Sequence, residues 1–177
     1  MNFIRHQRRM THMRAQSQPG FSLIELMVTI AVLGILLTVA VPSFTDVVLG
    51  SRLRSYANDF LASVFQARGE AIKRNAVVNL CASSNGTSCT VSNWEQGWIV
   101  LASGTVIQRH AALSPGLKMT ESGAVNSLNF QPTGVGVTPA TLTVCRATPS
   151  VGGQERVITI NSTGRASISK TTASACS

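Results

Sequence analysis

The chain has 177 residues, with 15 Lys+Arg against 7 Asp+Glu and a formal net charge of +8. That length holds one ordinary domain with an extension and leaves no room for a large multidomain enzyme. Charged residues make up 12% and aromatics 5%, too few charges for a disordered chain and too few rings for a base-stacking nucleic-acid platform.

Half of the excess charge sits at the N-terminus. Residues 1–20 hold Arg5, Arg8, Arg9 and Arg14 and no acid, whereas the rest of the chain holds 11 basic and 7 acidic groups. Residues 26–45 (LMVTIAVLGILLTVAVPSFT) then run without a charge. As a helix at ~1.5 Å per residue, these 20 residues span ~30 Å, the thickness of a bilayer core. The run reads as a membrane segment. The arginines before it put the N-terminus in the cytoplasm and the chain after Pro42 outside it. A secretory signal peptide is the rival reading, but its apolar region is shorter, about 7–15 residues. The small-x-small site Thr38-Val39-Ala40 also leads straight into Val41-Pro42.

Glu25 does not suit a plain anchor, because a lone carboxylate at the head of an apolar run costs about 3 kcal/mol near hydrocarbon unless it is paired. Cleavage between Gly20 and Phe21 would create an amine four residues before Glu25, one helical turn away, able to pair with it within the chain or in a neighbour. The stretch Gly20-Phe21-Ser22-Leu23-Ile24-Glu25-Leu26-Met27-Val28 resembles the type IV prepilin signature. The resemblance implies that a membrane prepilin peptidase cuts after Gly20 and methylates Phe21. It also implies that Glu25 pairs with the N-terminal amine of an adjacent subunit during filament assembly, and that Pro42 is a helix-kinking proline.

Beyond the apolar run, Leu53, Tyr56, Ala57, Phe60, Leu61, Val64, Phe65, Ala71 and Ile72 recur at steps of three and four, with charges on other faces. This predicts an amphipathic extension of the helix whose stripe packs on the domain that follows. From about residue 77 the pattern becomes short apolar or alternating runs at 77–81, 97–101, 105–109, 117–120, 128–130, 141–145, 157–160 and 166–169, separated by Gly, Pro, Asn and Ser turns. The expected class is α+β, a long N-terminal transmembrane and amphipathic helix packed on a small antiparallel β-sandwich head. The expected organisation is a cleaved basic leader (1–20), an assembly half of the helix (21–45), an amphipathic half (46–75) and a β-rich head (76–177).

Cys81, Cys89, Cys145 and Cys176 allow three pairings. An even count outside the cytoplasm favours disulfides, and the expected pairs are Cys81 with Cys89, which bracket a polar turn, and Cys145 with Cys176. No metal site is expected: the spacing is not CxxC and His110 is the one histidine beyond the leader. The order Leu80-Cys81, Gly86, Cys89, Trp94-Glu95-Gln96-Gly97-Trp98 and Thr163-Gly164-Arg165 resembles the GspH/FimT family of minor pilins and pseudopilins. The two indoles can fill a small core between sheet and helix while Gly97 lets the chain bend. The resemblance implies a low-copy subunit near the tip of a type IV pilus or type II secretion filament, rooted in the bacterial inner membrane with its head in the periplasm. Its expected partners are the prepilin peptidase, other pilins and the membrane.

No catalytic motif is present: there is no GxSxG, Walker A or HExxH, and Gly134-Val135-Gly136 lacks the third glycine of a dinucleotide loop. The chain reads as a non-enzyme without a cofactor, and Asp59, Glu70, Glu95, Glu121 and Glu155 read as solvated acids or local ion pairs. The alternative partner is DNA, since some members of the family bind it through a GRxR-like element. Here Gly164-Arg165-Ala166-Ser167 departs from that element at its second basic position, and Lys170, Arg146 and Arg156 are the further phosphate candidates. Three or four such contacts give weak binding at physiological salt.

Overall fold

The computed structural model describes residues 20–146 and 154–171, apart from the side chains of 39–43, 45 and 46. The leader before Gly20, Cys176 and the Pro42 side chain therefore lie outside the described residues. Two compact units divide between Pro42 and Ser43.

One helix, α1 (Leu23–Arg74), runs through that division. In the first unit every large apolar side chain from Phe21 to Leu37 is exposed, so this stretch has no preferred face within its own chain. Its hydroxyls bond inward: Thr29 Oγ1 donates to the Leu26 carbonyl at 2.8 Å and Thr38 Oγ1 to that of Ile35 at 2.7 Å. Both hydroxyls are thereby satisfied within the helix itself, as an apolar surrounding requires. No helix of the described residues is long and apolar enough to cross a membrane. The uncharged run at 26–45 continues past Thr38 into side chains outside the description.

In the second unit the helix is one-sided. Leu53, Ala57, Phe60, Val64, Ala67 and Ala71 are fully buried, alternating steps of four and three. This corrects the expected stripe, since Phe65 and Ile72 are exposed and Ala67 takes part instead. Phe65 and Ile72 each follow a buried residue, which turns them about 100° away from the core. The helix ends at Asn75, whose φ of 49° is left-handed. Asn75 N–H bonds to the Ile72 carbonyl and Ala76 N–H to that of Ala71, closing the last turn.

Eight strands follow in two antiparallel sheets: β1 (Val78–Ala82), β2 (Trp98–Ala102), β3 (Thr105–His110), β4 (Leu117–Glu121), β5 (Ser127–Phe130), β6 (Ala140–Arg146), β7 (Arg156–Ile160) and β8 (Ala166–Lys170). The first sheet has the order β3-β2-β1-β5 and the second β4-β6-β7-β8. Every expected strand is present, and the fold is the pilin-like α+β arrangement of a helix on antiparallel sheets. Val78, Leu80 and Val100 of the first sheet and Leu142, Val144 and Ile158 of the second share one core with the helix stripe.

The centre of that core is aromatic. Phe60 meets Trp94 and Trp98 edge-on, with ring centroids 5.2 Å away in both cases. Both indoles are buried and bonded: Trp98 Nε1 donates to Ser63 Oγ at 2.9 Å and Trp94 Nε1 to the Val125 carbonyl at 2.8 Å. Trp94 lies in a short 3₁₀ turn (Trp94–Gln96). Gly97 then turns the chain at a φ of 108°, where a side chain would meet the His110 carbonyl. Phe60→Ala is expected to lower the unfolding free energy by about 3–5 kcal/mol, and Phe65→Ala, at an exposed site, by less than about 1 kcal/mol. Denaturant unfolding followed by tryptophan fluorescence checks both, and equal losses would refute this assignment of the core.

Candidate assembly site

The helix start carries the stretch that resembles the prepilin signature. Gly20, Phe21 and Ser22 precede the first turn, and the Leu26 N–H bonds to the Ser22 carbonyl at 3.2 Å. Glu25 falls in that first turn, where a carboxylate is favoured by the helix dipole. Among the described residues it makes no ion pair. Its charge and the all-round apolar surface behind it are both left for another molecule to match.

In the head, the expected Cys81–Cys89 disulfide is present. It closes a turn organised by side chains: Asn85 Oδ1 accepts from the N–H groups of Thr87 and Ser88, and Ser83 Oγ donates to the Ser88 carbonyl. Cys145 is also disulfide-bonded, while Cys176 lies outside the described residues.

The acids are more structural than the sequence suggests. Glu121 accepts from Gly123 N–H at 2.7 Å, Val125 N–H at 2.6 Å and Thr141 N–H at 3.3 Å, and so fixes the loop that receives the Trp94 indole. Glu155 is buried rather than solvated. Asp59 faces His110 Nε2 at 3.6 Å, and the His110 ring stacks on Trp98 with centroids 3.8 Å apart. The Arg74 guanidinium, 2.5 Å from Glu70, holds that carboxyl below its ordinary range, with Lys73 adding to the effect. Nothing in the sequence spacing couples Asp59 to His110, because they meet only when β3 returns beside the helix.

The four phosphate candidates divide. Arg165 is exposed just before β8, whereas Lys170 ends that strand about 15 Å away. Arg156 lies opposite Lys170, and Arg146 is two residues beyond the partner of Arg156 on β6, so these three share one face at the far end of the sheet. Arg156 is not an exposed phosphate contact, which corrects the expectation: it is buried, and Nη1 donates to the Gln154 carbonyl at 2.8 Å and the Glu155 carbonyl at 3.0 Å. Burial lowers its pKa, and the nearby positive charge of Arg54 adds to this.

Gly164 has a structural task in the same element. With a φ of 74°, its missing side chain leaves room for the Gly134 carbonyl, which an added Cβ would meet at 2.9 Å. Asn161 Oδ1 closes this turn by accepting from the Thr163 and Arg165 N–H groups.

A family model described as Type II transport protein GspH matches residues 56–164, more than half of the chain. The chain belongs to the GspH family. The prokaryotic N-terminal methylation motif matches residues 16–41, over the leader end, Gly20, Phe21, Glu25 and much of the apolar run. The fimbrial protein EcpC of Eikenella corrodens is 34% identical over 80 residues, covering 42% of this chain and 52% of that protein. The chain thus spans about half the length of this curated relative. Among solved structures, the type IV minor pilin FimU of Pseudomonas aeruginosa matches with a TM-score of 0.55 and 25% identity, over 67% of this chain and 89% of that one. In a second crystal form of FimU the values are 0.52 and 26%, over 66% and 92%.

In the head, the glycine of the Thr163-Gly164-Arg165 element is required by packing, while the Arg165 side chain is exposed. Gly164→Ala is expected to destabilise the head by about 1–3 kcal/mol and Arg165→Ala by no more than about 0.5 kcal/mol. Thermal unfolding of both variants checks this; a neutral Gly164→Ala would refute the close approach of the two turns.

Proposed function

We propose that the chain is a non-enzymatic minor pilin or pseudopilin, processed by a prepilin peptidase between Gly20 and Phe21, anchored in the bacterial inner membrane by residues 21–45, and assembled through that helix into a filament. The observation that carries this reading is the helix from Leu23 to Leu37, exposed and apolar on every face, with the unpaired Glu25 carboxylate in its first turn. A helix apolar all round is stable only when covered, by lipid before assembly and by neighbouring helices after it. On entering the filament, Glu25 would gain the Phe21 amine of an adjacent subunit. Pro42 lacks an N–H to close its helical turn, and it stands where the two units divide.

The filament is of the type IV pilus or the type II secretion kind, with this subunit near the tip and its disulfide-pinned head in the periplasm. Loss of the gene would abolish or reduce surface pili in the first case and trap exoproteins in the periplasm in the second. DNA capture is the weaker reading, because Arg165 is separated from the other three candidates and Arg156 is buried.

Glu25→Ala is expected to lower incorporation into filaments at least tenfold while the head keeps its fold and its Cys81–Cys89 bond. Quantitative immunoblotting of sheared filaments against total membranes reads this, and undiminished incorporation would count against the pairing role of Glu25.

A further inference from the structure

Each sheet has two outer strands, and among the described residues three of the four are guarded against a further strand. The register of β3 against β2 shifts between Val100 and Leu101, and the Arg109 side chain of β3 lies against Gly86 of the disulfide turn. The 3₁₀ turn that holds Trp94 covers β4, and β5 is only four residues long. Bulges, covers and short length are the usual means of blunting a sheet edge. β8 has none of them. Its register with β7 is regular over all five pairs, it contains no proline, and no described strand lies on its other side. Asn161 N–H donates to the Arg165 carbonyl at 3.1 Å and Thr171 N–H to the Glu155 carbonyl at 3.4 Å, so the ladder bonds to β7 fall at the odd-numbered residues of this strand. Antiparallel alternation then turns the N–H and C=O groups of Ala166, Ile168 and Lys170 outward. A cation marks each end of that row: Arg165 stands just before β8, and Lys170 closes it ~15 Å further on. Both are exposed and make no ion pair among the described residues. Glu155 is buried, and residues 147–153 and 172–177 contain no acid.

We propose that this edge takes an extended segment of a partner protein as a fifth strand of the second sheet, and that the segment carries carboxylates five residues apart, one for Arg165 and one for Lys170. An extended peptide presents its own N–H and C=O groups at the same two-residue interval, so the ladder supplies affinity without regard to sequence. The two cations supply the choice of partner. Side chains alternate along a strand, so Arg165 and Lys170, an odd number of residues apart, take opposite faces. Two acids five residues apart in the added strand do the same, and each meets its cation. No two acids of this chain stand five residues apart, so the occupant is another protein and not a second copy. A nucleic acid would use both cations but leave the outward backbone groups without ladder partners. The inference concerns the head alone and goes beyond the helix-mediated assembly proposed above: it gives the head a contact of its own with another protein.

The probe is a fluorescein-labelled, end-blocked peptide, Asp-Val-Thr-Val-Thr-Asp, titrated against the full chain in dodecyl maltoside micelles and read by fluorescence anisotropy. The expected result is saturable binding, about tenfold tighter than that of the same peptide with lysines in place of the two aspartates. The Arg165→Glu, Lys170→Glu double variant, changed only at exposed positions, is expected to prefer the lysine peptide instead. Residue-resolved hydrogen exchange supplies the backbone readout. Bound peptide should slow the amides of Ala166, Ile168 and Lys170 about tenfold and leave those of Ser167 and Ser169, already in the ladder with β7, unchanged. No binding of the acidic peptide, equal binding of the two peptides, or binding without protection of those three amides overturns the inference. So does tighter binding of an oligothymidylate at the same cations, which would make the edge a phosphate site. Dimerisation of the chain that is lost in the double variant would assign the edge to a second copy and also overturn it.

Discussion

A helix that is apolar on all sides cannot be satisfied by its own chain, and everything else about this protein follows from that constraint. From Phe21 to Leu37 the large side chains point outward in every direction, and the two described threonine hydroxyls are folded back onto the helix backbone. The stretch needs an apolar cover from outside its own chain, which the proposed function takes first from lipid and then from similar helices. Glu25 is the one group in it that distinguishes these two environments, since hydrocarbon offers it nothing and a neighbouring amine offers it a partner.

Past the division at Pro42 the same helix obeys a different rule. Its buried stripe narrows to one side, and Phe60 locks it to the head through both indoles of the Trp94-Glu95-Gln96-Gly97-Trp98 element. Each indole N–H and the loop around Val125 is tied down by a hydrogen bond, so the aromatic centre is also a polar network without loose ends. The Cys81–Cys89 bond and the paired turns at Gly134 and Gly164 secure the periphery. Membership of the GspH family and the likeness to a minor pilin structure describe this head; the helix before it is, in the proposed function, the means of assembly.

Much of this is legible in the amino-acid order, because turn residues and alternation mark strands locally. All eight strands fall where short apolar runs stand between Gly, Pro, Asn and Ser clusters, and the first disulfide follows from two cysteines around a polar turn. What resists reading is which of two adjacent apolar helix residues faces inward: Phe65 looks as apolar as Val64, and only the sheets decide between them. Charged residues mislead for the same reason. Glu121 serves amides 2 to 20 residues away, and Glu155 and Arg156 are buried although both are charged. Among the DNA candidates, the extended course of β8 puts Arg165 just before its start and Lys170 at its far end.

The most direct measurement is the mass and N-terminal sequence of the protein recovered from cell membranes. A chain that begins at N-methylated Phe21, with residues 1–20 removed and the apolar helix retained, is the predicted result. A chain that keeps Met1, or one that begins after Ala40 and has lost the helix, would contradict the account, because neither could bring an amine to Glu25.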